Sequence, residues 1–137
     1  MYFPGLGIKT QIARGPRIRA IGWLAMQHPF PIGDSAENFV ATLREICSHW
    51  GGCVDALRWA VAGGFHTCEF CGRFRASGNI AVPASDVLFV APEMVVHYVE
   101  HHKYLPPKDF VDAVFSCPLP GTPEYRDALK AFLPDLD

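Results

Sequence analysis

The feature that most constrains the fold of this chain is a pair of cysteines followed, further along, by a pair of histidines. Cys68 and Cys71 stand three positions apart and are followed directly by Gly72. After a gap of 25 residues come His97 and His101, which stand four positions apart. Two thiols and two imidazoles are the number and kind of ligand in a closed tetrahedral zinc site. The pattern therefore predicts that two distant parts of the chain meet at one zinc ion.

Local geometry supports this interpretation at both ends of the pattern. In a metal knuckle the residue after the second cysteine often has a positive φ angle, which Gly72 adopts without steric penalty. On a helix, a step of four residues turns by about 400°, so His97 and His101 lie about 40° apart on one face. His102 is five positions from His97, about 140° away around the helix, so the spacing favours His101 as the second imidazole.

His66 is a further candidate ligand. It stands two positions before Cys68, and side chains two positions apart in an extended segment point to the same side. We therefore keep His66 as a reserve ligand or as a group that supports a ligand.

Two other interpretations of the cysteine pair were weighed against a metal site. Cys68 and Cys71 are ordinary buried thiols in the first and a thioredoxin-like redox pair in the second. A redox pair should open a helix inside a βαβ unit, whereas Gly72 and a predicted hairpin follow here. The helical histidine pair at hairpin distance favours metal over both alternatives.

The segment from His97 to His101 also matches the H-x-x-E-H order of inverted zinc peptidases. In that interpretation Glu100 is the general base of a zinc-dependent hydrolase. Such an enzyme needs a third ligand downstream and an open coordination position, whereas two cysteine ligands close the shell. The ligand count therefore argues against an enzyme, and no residue is assigned a catalytic role.

Charge is informative about partners. Arg73 and Arg75 flank Phe74 next to the cysteine pair, an arrangement that suits contact with nucleic acid. The net charge of −2 and the isoelectric point near 6.3 give no general attraction to polyanions. A zinc-dependent nucleic-acid binder is therefore the less favoured alternative, and another protein is the expected partner.

Length and composition predict one domain over residues 1–137, because 137 residues of which 50% are hydrophobic can build a packed core. No run approaches the ~20 apolar residues of a membrane span. The first five residues lack the charged and apolar parts of a secretory signal. We therefore expect a cytoplasmic protein without a membrane partner, where cysteines favour metal over disulfides.

The predicted fold class is α+β, a small antiparallel sheet with about four packed helices. The expected elements are a strand over 17–24, a helix over 35–50 with a capping box at Asp34 and Glu37, a hairpin of 79–82 and 87–90, a helix from Pro92 to about Tyr104, a short helix from Pro107 and a last helix from Thr122. Residues 53–65 fit a strand and a helix equally well. Knuckle, hairpin and helix form a zinc-binding unit over about residues 64–105, similar in order to ββα and treble-clef modules.

Segments inside and outside this zinc-binding unit resemble those of a known family. They cover most of residues 20–125: Gly22-Trp23-Leu24, His28-Pro29-Phe30-Pro31-Ile32-Gly33, Gly64-Phe65-His66-Thr67-Cys68-Glu69-Phe70-Cys71, Val90-Ala91-Pro92-Glu93, His97-Tyr98, His101, Tyr104, Pro106-Pro107, Phe110 and Ala113-Val114. The chain resembles small bacterial proteins with a zinc-binding domain of unknown function. The resemblance implies a stand-alone domain and one ligand set, Cys68, Cys71, His97 and His101, with His66 nearby. It implies no substrate, so the expected function is a structural-zinc module for protein interaction or regulation.

Overall fold

The computed structural model describes residues 2–10, 14–50, 66–76 and 78–132 of the chain. Within these ranges the fold is α+β, as predicted. The helices are α1 (Glu37–Trp50), α2 (Val95–His102), α3 (Lys108–Ser116) and α4 (Pro123–Lys130). The strands are β1 (Ile18–Ala20), β2 (His66–Thr67), β3 (Arg75–Ala76), β4 (Asn79–Pro83) and β5 (Leu88–Pro92). Residues 53–65, for which the sequence favoured neither helix nor strand, lie outside the described residues.

A three-stranded mixed sheet in the order β1-β5-β4 forms the centre of the fold. The predicted hairpin is confirmed, with β4 and β5 antiparallel and Ala81 opposite Val90. Every residue of β4 is buried, because both faces of the hairpin are covered. The strand expected over 17–24 is shorter: β1 pairs in parallel with β5 and ends before Gly22, whose φ of 75° leaves the extended region.

The helices pack on this sheet through the apolar faces that the sequence predicts. Phe39, Leu43 and Ile46 of α1 are at most 1% exposed, and the Phe39 ring lies 6.4 Å from that of Phe110 on α3. At the start of α4 the Thr122 hydroxyl oxygen accepts a hydrogen bond from the Tyr125 N–H (3.2 Å), which is a typical N-cap. The buried apolar side chains belong to one cluster. Among the described residues, every helix is too short or too polar to span a lipid bilayer.

Two predicted helix starts differ in detail from the structure. Pro92 is the last residue of β5 and lies opposite Asn79, so it does not begin a helix. The fixed φ of proline suits a strand end as well as a helix start, and the Glu93 N–H extends the ladder by donating to the Gly78 carbonyl (2.9 Å). Helix α2 therefore begins only at Val95.

Asp34 does not act as the predicted helix cap in the described structure. Helix α1 begins at Glu37, and the Asp34 Oδ1 atom instead accepts a hydrogen bond from the Lys103 Nζ atom (2.5 Å). Because Lys103 directly follows α2 and has a left-handed φ of 58°, this pair fixes the end of α2 against the start of α1. Both groups are exposed, so the contact contributes little stability.

Candidate metal centre

A short antiparallel pair of strands holds the cysteine knuckle. His66 of β2 lies opposite Ala76 of β3, and the Cys68 N–H donates to the Phe74 carbonyl (2.8 Å). The chain then turns tightly, and the Gly72 N–H donates to the Cys68 carbonyl (2.9 Å). Gly72 has a φ of 67°, which is the left-handed conformation that the C-x-x-C-G pattern predicts.

Backbone N–H groups of this turn face the first sulfur atom. Cys68 is 1% exposed, and burial raises the pKa of its thiol. Hydrogen bonds from the N–H groups of Cys71 and Phe70 act in the opposite direction, because they stabilise the thiolate. The turn thus offers two hydrogen bonds to the thiolate, the form that binds metal, and these offset part of the effect of burial.

Helix α2 brings two imidazoles to this turn. The Cys71 Sγ atom lies 3.4 Å from the His97 Nε2 atom, and the Cys68 Sγ atom lies 3.4 Å from the His102 Nε2 atom. The two Nε2 atoms are 3.2 Å apart. All four ligand atoms lie within 4.8 Å of one another.

Three of the six separations match the edges of a tetrahedron around a single ion. With Zn–N and Zn–S bonds of about 2.05 and 2.3 Å, two nitrogen ligands lie about 3.3 Å apart and a sulfur lies about 3.6 Å from a nitrogen. The observed values of 3.2 and 3.4 Å differ from these by no more than about 0.2 Å. The four side chains therefore lie close enough together to hold one metal ion.

The structure brings together three of the four residues predicted as ligands and replaces the fourth. Cys68, Cys71 and His97 meet as expected, but the second imidazole in the cluster is that of His102. The exposed His101 ring lies 4.9 Å from the His97 ring, centroid to centroid, and its atoms are not part of the cluster.

The position of His102 has a physical cause that angular spacing alone misses. The knuckle covers the face of α2 that carries Tyr98 and His102, since the Phe70 ring lies 5.8 Å from the Tyr98 ring and 5.3 Å from the His102 ring. The sequence signal for it is the four-residue spacing of Tyr98 and His102, which places both rings on one face of the helix.

Aromatic rings enclose the imidazoles. The Phe74 ring stacks on that of His97 at 4.5 Å with an interplanar angle of 6°, and the Phe70 ring lies 5.3 Å from that of His102. Burial and the neighbouring imidazoles lower the pKa of His97, and burial followed by the charge of His101 lowers that of His102. Both rings are therefore favoured in the neutral form that a metal requires.

Glu100 faces away from the four ligands. Its Oε1 atom forms an ion pair with the Arg44 Nη2 atom of α1 at 2.5 Å. The hydrolase interpretation needs Glu100 and His101 at the metal, whereas the cluster uses neither and already contains four ligand atoms. This arrangement supports holding an ion and leaves Glu100 paired with Arg44 instead of placed as a general base next to the cluster.

The other residues singled out in the sequence lie around the centre. His66 is half-buried on β2 and lines a cavity beside the knuckle, and it is not part of the four-residue cluster. Arg73 and Arg75 are exposed on the chain that returns from the knuckle. Phe74 between them has one face against His97, which leaves that face unavailable for stacking on a base.

Comparison with known proteins identifies the family of this chain through a family model alone. No curated protein and no solved structure matches the chain significantly. A family model matches residues 1–115, a range that includes all four clustered residues and ends near the end of α3. The chain therefore belongs to the family described as domain of unknown function DUF7919.

Proposed function

We propose that Cys68, Cys71, His97 and His102 bind one zinc ion and that this ion has a structural role. The observation that carries the proposal is the set of three separations of 3.2 to 3.4 Å between sulfur and nitrogen atoms from segments far apart in sequence. A donor set of two thiolates and two neutral imidazoles favours zinc among the common metals. Four protein ligands complete a tetrahedral shell, which is the arrangement of a structural site.

A structural role also fits the elements that the ion would join. Strands β2 and β3 contain two residues each, and so short a pair of strands has little stability of its own. An ion held by Cys68 and His102 would connect this small unit to α2 and hence to the central sheet. Binding free energy at such a site contributes directly to folding.

Metal analysis combined with a pair of cysteine variants tests the proposal. We expect purified protein to contain about one zinc per chain and Cys68→Ser to lose it. Cys117→Ser is the matched control, because Cys117 is also partly buried but its thiol donates to the Pro118 carbonyl (3.1 Å) away from the cluster. Cys117→Ser should retain the metal. A Cys68→Ser protein with unchanged metal content and thermal stability would contradict the proposal.

We further propose that this zinc-stabilised domain works in the cytoplasm as an interaction or regulatory module whose partner is another protein. Two large apolar side chains support this interpretation. Ile32 is 69% exposed and Leu105 is 38% exposed, and the Leu105 N–H donates to the Pro31 carbonyl (2.9 Å). The two side chains therefore belong to adjacent segments of surface, and paired exposed apolar groups favour protein contacts.

Substitution of this surface tests the partner proposal. Wild-type protein and Ile32→Asp protein are each used to capture proteins from lysate of the source cells. A partner retained by the wild type and lost with Ile32→Asp supports the proposal. Equal capture by both proteins, or a partner that is a nucleic acid removed by moderate salt, contradicts it.

A further inference from the structure

The first 33 residues of the chain carry basic side chains and no acidic ones. The basic residues of this segment are Lys9, Arg14, Arg17 and Arg19. The other eight basic side chains and all 14 acidic ones fall in residues 34–137. Lys9 and Arg14 lie opposite each other in an antiparallel bridge, and both are exposed. A protein with a net charge of −2 thus presents a local positive surface at this basic pair.

The basic pair is attached to the central sheet and is open to a partner. The Ala20 N–H of β1 donates to the Gly7 carbonyl (2.8 Å), which fixes the segment that carries Lys9. Among the described residues, no carboxylate forms an ion pair with Lys9 or Arg14. An anionic group that approaches the pair would therefore not compete with a carboxylate of this described part of the chain.

A groove of about 280 Å³ adjoins the basic pair. Leu6 lines the groove and is 45% exposed. Because three residues span at most about 11 Å, Lys9 lies within that distance of Leu6. Pro31 and Tyr104 also line the groove, and they are the direct neighbours of the two exposed apolar side chains proposed above as a partner surface. The groove therefore connects that apolar surface with the basic pair.

The walls of the groove favour an apolar side chain. The Trp23 indole N–H donates to the Val90 carbonyl (3.0 Å), and the Tyr104 hydroxyl oxygen accepts a hydrogen bond from the Gly22 N–H. Because these polar atoms bond within the protein, both rings present carbon to the groove. A cavity of about 150 Å³ holds benzene, so a groove of about 280 Å³ has room for one or two large apolar side chains.

We propose that the groove and the basic pair together bind a segment of the partner protein in which acidic residues adjoin large apolar ones. The apolar side chains would occupy the groove, and the carboxylates would meet Lys9 and Arg14. A guanidinium group binds a carboxylate through two parallel hydrogen bonds, which gives direction as well as charge. This inference rests on the proposed function, because it specifies the chemistry of the partner protein.

Two features favour an acidic protein segment over other anionic partners. A nucleic acid or an anionic bilayer extends beyond this surface and would also meet the excess of acidic side chains in residues 34–137. Single-stranded nucleic acid also stacks its bases on exposed aromatic rings. The large exposed side chains next to the basic pair, Leu6 and Ile8, are aliphatic. A short acidic segment meets the positive surface alone.

Peptides of defined composition test the inference with zinc-loaded wild-type protein. Two peptides join four glutamates to a Leu-Leu-Phe segment, one in each order. Comparison peptides have glutamines in place of the glutamates or serines in place of the apolar segment. We expect at least one order to give saturable NMR shifts at Phe3, Leu6 and Lys9. Each comparison peptide should bind about tenfold more weakly or less.

Several results of the peptide titrations would overturn the inference. These are equal binding of the glutamine peptide, shifts confined to other parts of the protein, and no binding of either acidic peptide. Single-stranded DNA and vesicles of phosphatidylserine and phosphatidylcholine are titrated in the same buffer. Tighter binding of either one than of the acidic peptides would overturn the choice of a protein segment.

A charge reversal at Arg14 tests the basic pair itself. Arg14→Glu preserves the bridge, because a glutamate opposite Lys9 forms a favourable cross-strand pair. It should weaken binding of the acidic peptide by about tenfold or more, since like charges across an interface are costly.

Arg73→Glu is the matched control for the charge reversal. Arg73 is also an exposed arginine without an ion pair among the described residues, and the substitution changes the net charge by the same amount. Its affinity for the peptide should stay within about twofold of the wild type, because solvent and salt screen distant charges. Equal losses in the two variants would show attraction by net charge alone and would overturn the assignment of this surface.

The Arg14→Glu protein also separates this inference from the proposed function. A natural partner that is lost with Ile32→Asp and bound by Arg14→Glu as tightly as by the wild type would overturn the inference alone. The interaction proposal would then remain intact. Failure to capture any partner would instead contradict the interaction proposal, whereas the peptide titrations are made on purified protein and give their result independently.

Discussion

The Nε2 atoms of His97 and His102 lie 3.2 Å apart, although the two residues stand five positions apart on α2. Two nitrogen ligands of a tetrahedral zinc ion lie about 3.3 Å apart, so this separation fits two ligands of one ion. His101 starts closer to His97 around the helix, but its ring remains exposed beside Glu100 and Arg44. Angular spacing alone therefore does not determine which imidazole joins the cluster, because the knuckle covers the face of α2 that carries His102.

Alanine substitutions at His102 and His101 should differ in their effect on zinc affinity. His102→Ala removes one of four ligands, and we expect zinc affinity to fall by at least about 100-fold, since even a supporting group outside the ligand set is worth about 10–100-fold. His101→Ala should leave the affinity within about threefold of the wild type. Competition with a chromophoric chelator measures both. If His101→Ala lost the metal and His102→Ala kept it, the ligand set proposed from the structure would be wrong.

Sequence spacing predicted the knuckle turn and three of the four clustered side chains, because those depend on local rules. A C-x-x-C-G turn requires a positive φ at Gly72, and a hairpin follows from two apolar runs around a four-residue loop. The choice between His101 and His102 depends on which face of α2 the knuckle covers, and that is a tertiary contact of Phe70 with Tyr98 and His102. No local rule predicts the parallel pairing of β1 with β5, because it joins residues about 70 positions apart.

Removal of the metal should lower thermal stability reversibly. Zinc at about 1,000 times its dissociation constant stabilises the folded state by about 4 kcal/mol. For a domain of this size that corresponds to a fall in Tm of about 10 °C or more when a chelator is added. Differential scanning calorimetry with and without chelator measures the change, and added zinc should restore the original Tm. A Tm that is the same with and without chelator in protein shown to have lost its zinc would rule out a structural role.

Two glycines with positive φ should differ in their response to alanine. At Gly72 (φ 67°) an added Cβ meets nothing within 4 Å, so Gly72→Ala should cost about 1 kcal/mol from backbone strain alone. At Gly22 (φ 75°) the Cβ would lie 2.8 Å from the Val95 Cγ2 atom. Gly22→Ala adds that clash to the strain and should cost about 3 kcal/mol or more.

Urea unfolding of zinc-loaded protein measures both glycine variants against the wild type. The metal content of each is determined in parallel, because Gly72 lies in the knuckle and Gly22 does not. Equal losses of stability in the two variants would show that Val95 moves aside without cost.

Glu93 should make the folded state less stable as the pH rises, whereas a carboxylate in an ion pair makes it more stable. Burial raises the pKa of Glu93, and its carboxylate lies where a Cβ at position 78 would be. The folded state therefore binds this proton more tightly than the unfolded chain does. The contribution of Glu93 to the free energy of unfolding is therefore complete below the ordinary pKa of a glutamate. It decreases as the pH rises toward the higher pKa of the folded state, and above that pKa it is lost.

Glu93→Gln removes this loss, because an amide does not ionise. We expect the variant to be more stable than the wild type at pH 7, by less than about 1 kcal/mol since the side chain is only partly buried. The difference should shrink toward zero near pH 4. Comparing the two proteins at each pH cancels the contribution of the histidine ligands, whose protonation affects both equally. Glu45→Gln, which changes the same group on an exposed helix face, should show no such difference. A Glu93→Gln protein less stable than the wild type at pH 7 would mean that the carboxylate makes a favourable contact that outweighs its burial.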